Sequence, residues 1–300
     1  MASVSELIAN YLAEVKTKVS SQTDKLRIRH EKEHDPWGLK IDTLETALNV
    51  FYPIYQKYFR VRIHGLENIP KKNNFIAVAN HSGQVPIDGA LIIAAFIMEQ
   101  KSPLLLRAMG ERFLFKVPFL AKAATQSGTI LGDRKNCRYL LEKGHSILAF
   151  PEGIKGITKS TENFYKLQSF THGFYRLALE QNVEILPITV IGAEEFYPYV
   201  YHSKELANLF NLPSFPITPL FPLAGVLGLL PMPSPVDIYI GKAIKPKKDL
   251  SPNAPKSEIY EEVQKVKKVI HNKIKKELPN KRQMFDGWKN FDLSKWDIKS

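Results

Sequence analysis

FIAVANHSGQVPIDGALIIAAFIM, residues 75 to 98, decides the fold. Its first six residues, Phe75 to Asn80, form a short apolar run of strand length and strand composition. Its last nine, Ala90 to Met98, continue apolar with the length and composition of a helix. Pro86 suits a first helical turn, and Asp88 falls within that turn, where the helix dipole stabilises a carboxylate. A strand that turns into a helix is the repeating unit of α/β layer folds, and such junctions expose chemistry-bearing side chains. His81 stands there, at the end of the strand.

Working outward, further strand-length apolar runs alternate with helical patterns. They are RVRIH (60 to 64), PLLLR (103 to 107), SILAF (146 to 150), EILPITVIG (184 to 192) and VDIYIG (236 to 241). These predict one α/β domain, a mixed sheet of about seven strands flanked by helices, over residues 60 to 245. Residues 1 to 59 read as an N-terminal helical extension. There Val4, Leu7, Ile8, Tyr11, Leu12, Val15 and Val19 recur at helical spacing over the first twenty residues, a polar connector spans 22 to 42, and a second helix runs from Thr43 to Phe59. Residues 246 to 300 read as a basic amphipathic helix and tail. Ile259, Val263, Val266, Ile270 and Ile274 form one stripe between Ser257 and Lys276, which either seals the core or lies on a bilayer. The aromatic and charged tail that follows has no assigned contact.

Three hundred residues with 44% hydrophobic content suffice for one sizeable core. Lys and Arg outnumber Asp and Glu by 42 to 30, a net charge of +12, which favours anionic partners such as a phosphorylated substrate or an anionic bilayer. Nucleic acid is not expected, since no element interleaves aromatic and basic residues as a reader does. The single cysteine, Cys137, rules out an internal disulfide framework and fits a reducing compartment or the membrane face towards it. The N-terminus lacks the apolar core of a signal peptide, so the chain is expected to start near Met1. No run reaches the roughly 18 to 20 apolar residues that span a bilayer. The most apolar region, Pro213 to Pro235, is cut repeatedly by proline and reads as a buried or membrane-dipping loop with one short helix, Leu223 to Leu230.

The chemistry centres on His81 and Asp88. An imidazole titrating near pH ~6.5 is matched to deprotonating a weakly acidic hydroxyl, and a nearby aspartate fixes its tautomer. Three more segments follow in order: Gly128-Thr129-Ile130-Leu131-Gly132-Asp133-Arg134, Phe150-Pro151-Glu152-Gly153, and Ile185-Leu186-Pro187-Ile188. With these four blocks the chain resembles the glycerolipid acyltransferase superfamily, typified by the 1-acylglycerol-3-phosphate acyltransferases. The resemblance implies His81 as general base, Asp88 as its orienting partner and Arg134 as binder of an acceptor phosphate. It further implies Glu152 and Gly153 in the acceptor site, with Pro187 and Gly128 shaping a pocket. Ser82, next to the base, is a possible pocket helper. Two departures stand out. Asp88 follows His81 by seven positions, where the common motif has five, and IKGITK follows FPEG, leaving Lys155 and Lys159 as the cations for a phosphate.

His30-Glu31-Lys32-Glu33-His34 matches a zinc-protease pattern, but its charged flanks and Pro36 argue for a solvated segment. No G-x-S-x-G elbow, P-loop or dinucleotide turn occurs. His172 reads as structural, beginning a helix. The expected function is acyl transfer from acyl-CoA or acyl-carrier protein to the hydroxyl of a lysophospholipid or related glycerolipid. It requires no metal, no cofactor beyond that co-substrate, and no acyl-enzyme. Two alternatives stay open: a non-catalytic lipid-binding protein on the same scaffold, and an esterase or transacylase. Peripheral or monotopic attachment to membrane lipids at the cytoplasmic face is expected, through residues 213 to 235, the second helix, or both. The sequence assigns no oligomeric state.

Overall fold

The computed structural model describes residues 3–30, 34–71, 74–83, 85–116, 118–197, 200–209 and 214–281. Its strands are β1 (Arg62–His64), β2 (Phe75–Ala79), β3 (Leu106–Gly110), β4 (Ile130–Leu131), β5 (Ser146–Ala149), β6 (Glu184–Ile191), β7 (Tyr201–Ser203), β8 (Phe215–Ile217) and β9 (Asp237–Ile240). Its helices are α1 (Val4–His30), α2 (Ile41–Pro53, extended by a π-helical turn Ile54–Tyr58), α3 (Ile87–Met98), α4 (Pro118–Gln126), α5 (Arg134–Glu142), α6 (Ile154–Ile157), α7 (Gly173–Gln181), α8 (Lys204–Leu209) and α9 (Lys256–Lys281).

Seven strands form the expected mixed sheet, in the order β1-β9-β6-β2-β5-β3-β4, and β7 pairs with β8 apart from it. From β6 to β4 all neighbours are parallel, while β9 runs antiparallel to β6. Strands β2, β3 and β5 therefore end on the same edge, and the segments that follow them converge there. Side chains alternate across the sheet. Phe75, Ala77 and Ala79 of β2 face a core shared with α1, α2 and α3, whereas Ile76 and Val78 face a core shared with α5, α7 and α9.

Val15, Val19 and Leu26 of α1 and Leu44, Leu48 and Tyr52 of α2 are buried in the first of these cores, so the N-terminal helices cover one face of the sheet. Helix α1 runs to His30 instead of ending near residue 20, because tertiary contacts replace the missing apolar repeat. Gln22 and Thr23 are buried, and Gln22 donates to the Gln100 carbonyl. Arg27 donates to Asp42 and Glu45 of α2. Strand β3 forms three residues later than expected, because the apparent stop at Arg107 is a buried strand residue. Its guanidinium donates to Asp35 and to the Gly128 carbonyl.

The α9 stripe seals the second core: Ile259, Val263, Val266, Ile270 and Ile274 are all buried there, so that face is not open to a bilayer. From 214 to 235 the described residues are mostly exposed or half-buried, although Ser234 is buried. This loop carries a 3-10 turn, Gly225–Leu229, and exposes Leu220, Leu223, Leu227 and Leu230, with Leu223 at 92%. Among the described residues no helix is long and apolar enough to cross a membrane. Glu31, Lys32 and Glu33 of the zinc-like pattern lie outside the described residues, as does the tail beyond Lys281. No cluster fit for a metal occurs among the residues described.

Candidate active site

The β2–α3 turn is anchored before it reaches the histidine. The Asn80 side chain donates to the Val190 carbonyl at 2.9 Å and accepts the Val190 N–H at 2.8 Å, fixing the end of β2 to β6. His81 follows, with its Nδ1 2.7 Å from Asp88 Oδ2. Asp88 is fully buried in the first turn of α3, and its carboxylate also accepts the N–H groups of Ser82 and Gly89, each at 2.8 Å. An ionised carboxylate only accepts, so Nδ1 carries the hydrogen and Nε2 keeps its lone pair. The two additional residues before Pro86 thus leave the pair within hydrogen-bonding distance. Phe150 stacks on the imidazole, with ring centroids 4.0 Å apart and an interplanar angle of 19°.

His81 lines a largely apolar cavity of about 360 Å³ between α2 and α3, whose walls include Leu44, Leu48, Phe51, Ile93 and Leu114. A second cavity of about 880 Å³ is more polar, lined by Arg112, Asp133, Arg134, His172 and Arg176. The two share Met109, Gly110, Glu111, Phe150 and Gly153 as a common border. Gly153 takes φ +56°, and an added Cβ there would lie 3.2 Å from Glu111 Oε1. The arrangement sets the His81 imidazole on the wall of an apolar trench, and a polar chamber adjoins that trench.

The remaining sequence candidates fall elsewhere, or are already engaged. Arg134 does line the larger cavity, but its guanidinium pairs with Glu180 of α7, which also pairs with Arg138. Burial raises the Glu180 carboxyl, yet the two arginines outweigh it and hold it below its ordinary value. Asp133 is the N-cap of α5, accepting the Asn136 N–H. Glu152 lines neither cavity, contrary to the resemblance, because both its oxygens are spent on main-chain N–H groups, His81 at 3.0 Å and Gln168 at 2.6 Å. Lys155 is exposed and lines neither cavity. Lys159 is no available cation either, being buried against Glu194 and Glu152.

Ser82 contributes its N–H to Asp88, while its buried Oγ has no hydrogen-bond partner among the described residues. Gly128 is a turn residue at φ +97° whose carbonyl holds Arg107, and its neighbours Ser127 and Thr129 line the apolar cavity in its place. Pro187 sits inside β6 opposite Val78, accepting the Gly241 N–H, and shapes the sheet instead of a pocket. His172 begins α7, as expected of a structural residue, but also forms part of the larger cavity's wall.

Sequence reasoning missed Gly156. A Cβ there would lie 2.6 Å from His81 Cβ and 2.9 Å from Glu152 Cβ, so only glycine lets α6 approach the histidine. It also missed Glu194, which burial pushes up to about 7 against the pull of Lys159 and the Tyr165 N–H. The glycine inside IKGITK was the available signal for the first; nothing local signals the second.

The Acyltransferase family model matches residues 60–191. An uncharacterized protein of Mycobacterium tuberculosis is 37% identical over 235 residues, 78% of this chain and 66% of that protein. The chloroplastic 1-acyl-sn-glycerol-3-phosphate acyltransferase of Arabidopsis thaliana is 28% identical over 175 residues, 55% of this chain and 45% of that one. The chain thus aligns with under two thirds of the length of these relatives. The crystal structure of the 1-acyl-sn-glycerophosphate acyltransferase PlsC from Thermotoga maritima shares the fold, with a TM-score of 0.50 at 19% identity over 92% of this chain and 96% of that one. The block order and the matched Acyltransferase segment point to the glycerolipid acyltransferase superfamily, and the mixed sheet shares its fold with PlsC.

Proposed function

We propose that this protein moves a fatty-acyl group from acyl-CoA or acyl-carrier protein to the hydroxyl of a lysophospholipid or related glycerolipid. The observation that carries the reading is the His81–Asp88 contact of 2.7 Å on the wall of an apolar cavity that borders a polar one. The acyl chain occupies the apolar cavity, and the acceptor head group the polar one. His81 Nε2 takes the acceptor's hydroxyl proton as that oxygen attacks the thioester carbonyl. The tetrahedral intermediate collapses to the ester, and the departing thiolate recovers the proton from the imidazolium, which Asp88 stabilises meanwhile.

The acceptor's charge bears on Arg134. A phosphate reaching it has to displace the Glu180 carboxylate, whereas an uncharged monoacylglycerol does not. The protein works from a membrane surface at the cytoplasmic face, where both acceptor and product reside, and the exposed leucines of residues 220 to 230 support attachment. Basic side chains near an anionic surface add roughly 1 kcal/mol each. The test incubates purified protein with acyl-CoA and a panel of lysophospholipids and neutral glycerolipids, identifying acylated product by mass. Acceptor-dependent thiol release with a matching ester is expected. Thiol release without acceptor points to an esterase, and no release at all to a lipid-binding protein.

A further inference from the structure

Lys159, Glu152 and Glu194 form a buried cluster of three ionisable side chains under the β2–α3 turn, 3%, 0% and 2% exposed. Lys159 Nζ lies 2.9 Å from Glu194 Oε1 and 3.4 Å from Glu152 Oε2, and it donates to the His81 carbonyl at 3.2 Å. Glu152 Oε1 accepts the His81 N–H at 3.0 Å. Peptide groups on both sides of the His81 Cα are therefore gripped by one ion cluster. Glu194 in turn accepts the Tyr165 N–H, and Glu152 the Gln168 N–H, so the cluster ties the histidine to the segment after α6.

Burying charges is costly, and apolar groups of equal volume commonly serve stability as well. What an ammonium gives and an apolar group does not is direction, through hydrogen bonds aimed at fixed points. We propose that Lys159 is a positioning residue for acyl transfer: it holds the His81 main chain in place while Asp88 holds the ring. The proposal rests on the reading of His81 as the base. Its contribution is distinct from that of Asp88, which holds the ring at Nδ1 and accepts the Ser82 N–H, whereas Lys159 holds the His81 carbonyl.

Full-length Lys159→Met/Glu194→Gln, which removes the ammonium and the carboxyl nearest to it, is compared with wild type and with Lys159→Arg. The assay uses palmitoyl-CoA with a lysophosphatidate or a monoacylglycerol. The expected loss in kcat is on the order of 100-fold, as for a displacement of about 1 Å at a reacting group, with KM unchanged. Lys159→Arg keeps the charge and donors and restores most of the rate. A downfield proton resonance of His81 Nδ1–H is expected in wild type, and it weakens or shifts in the double variant. A folded double variant with wild-type kcat and an unmoved resonance overturns the proposal. If wild type acylates no acceptor, the functional reading fails, and the resonance alone still decides whether Lys159 positions His81. If the double variant does not fold, Glu194→Gln alone decides: a several-fold lower kcat at constant KM supports the proposal, and an unchanged kcat overturns it.

Discussion

Replacing Gly156 with alanine adds a single methyl group at the closest approach to the histidine. That carbon would lie 2.6 Å from His81 Cβ, 2.9 Å from Glu152 Cβ and 3.2 Å from the His81 carbonyl oxygen. Carbon atoms rest roughly 3.5–4.0 Å apart, so the pair is short by about 1 Å. His81 cannot retreat freely, since Asp88, Glu152 and Lys159 each hold it. Nor can α6, whose turn is closed by Gly153 N–H to the Phe150 carbonyl and Gly156 N–H to the Gly153 carbonyl. Alanine's helix propensity returns about 1 kcal/mol, while overpacking costs about 1–3 kcal/mol, so the net effect on stability is a small loss. The kinetic effect is larger, because a displacement of about 1 Å at the base lowers kcat on the order of 100-fold. Steady-state transfer assays on the folded variant, with melting temperature measured alongside, read both effects. A Gly156→Ala protein with kcat within about twofold of wild type refutes the claim that this contact sets the position of the base.

Asp88→Asn preserves shape but removes the ionised acceptor of Nδ1–H; kcat should fall by about 10³- to 10⁴-fold with KM little changed, and a loss below about tenfold contradicts the orienting role. Glu194, raised from 4.5 to about 7, binds its proton more tightly when folded. Its stabilisation is therefore complete below about pH 4.5 and is lost as pH rises through about 7, so melting temperature should decline across that window in wild type and less so in Glu194→Gln. Equal slopes in the two proteins count against the burial of that carboxyl. Leu223→Glu/Leu227→Glu places charge on two exposed leucines, and vesicle co-sedimentation in high salt should drop at least about tenfold. Undiminished sedimentation removes this loop from the membrane contact.

Much of the scaffold was legible because burial on both faces leaves continuous apolar runs, as in β2 and β6, whose ends fall within one residue of expectation. Strand β4 was not, since two residues carry no period. Nor was the true span of β3, because a buried charge looks like a strand's end until Asp35 and the Gly128 carbonyl are seen to pair with it. Of the site, the proximity of His81 and Asp88 followed from their places at a strand end and a helix start. The fates of Glu152, Lys159 and Arg134 did not follow, since each depends on partners more than ten residues distant: His81, Glu194 and Glu180. A residue type suits a chemistry, but only the fold says whether its hydrogen-bonding capacity is already spent.

Acyl transfer by this route requires the His81 imidazole to take the proton from the acceptor hydroxyl. This requirement is tested most directly by measuring ester formation by His81→Ala under saturating acyl donor and acceptor, with folding and vesicle binding checked on the same preparation. A loss of about 10²- to 10⁴-fold in kcat is expected, with folding and membrane binding retained. A folded, membrane-bound His81→Ala protein that forms ester at nearly the wild-type rate contradicts it.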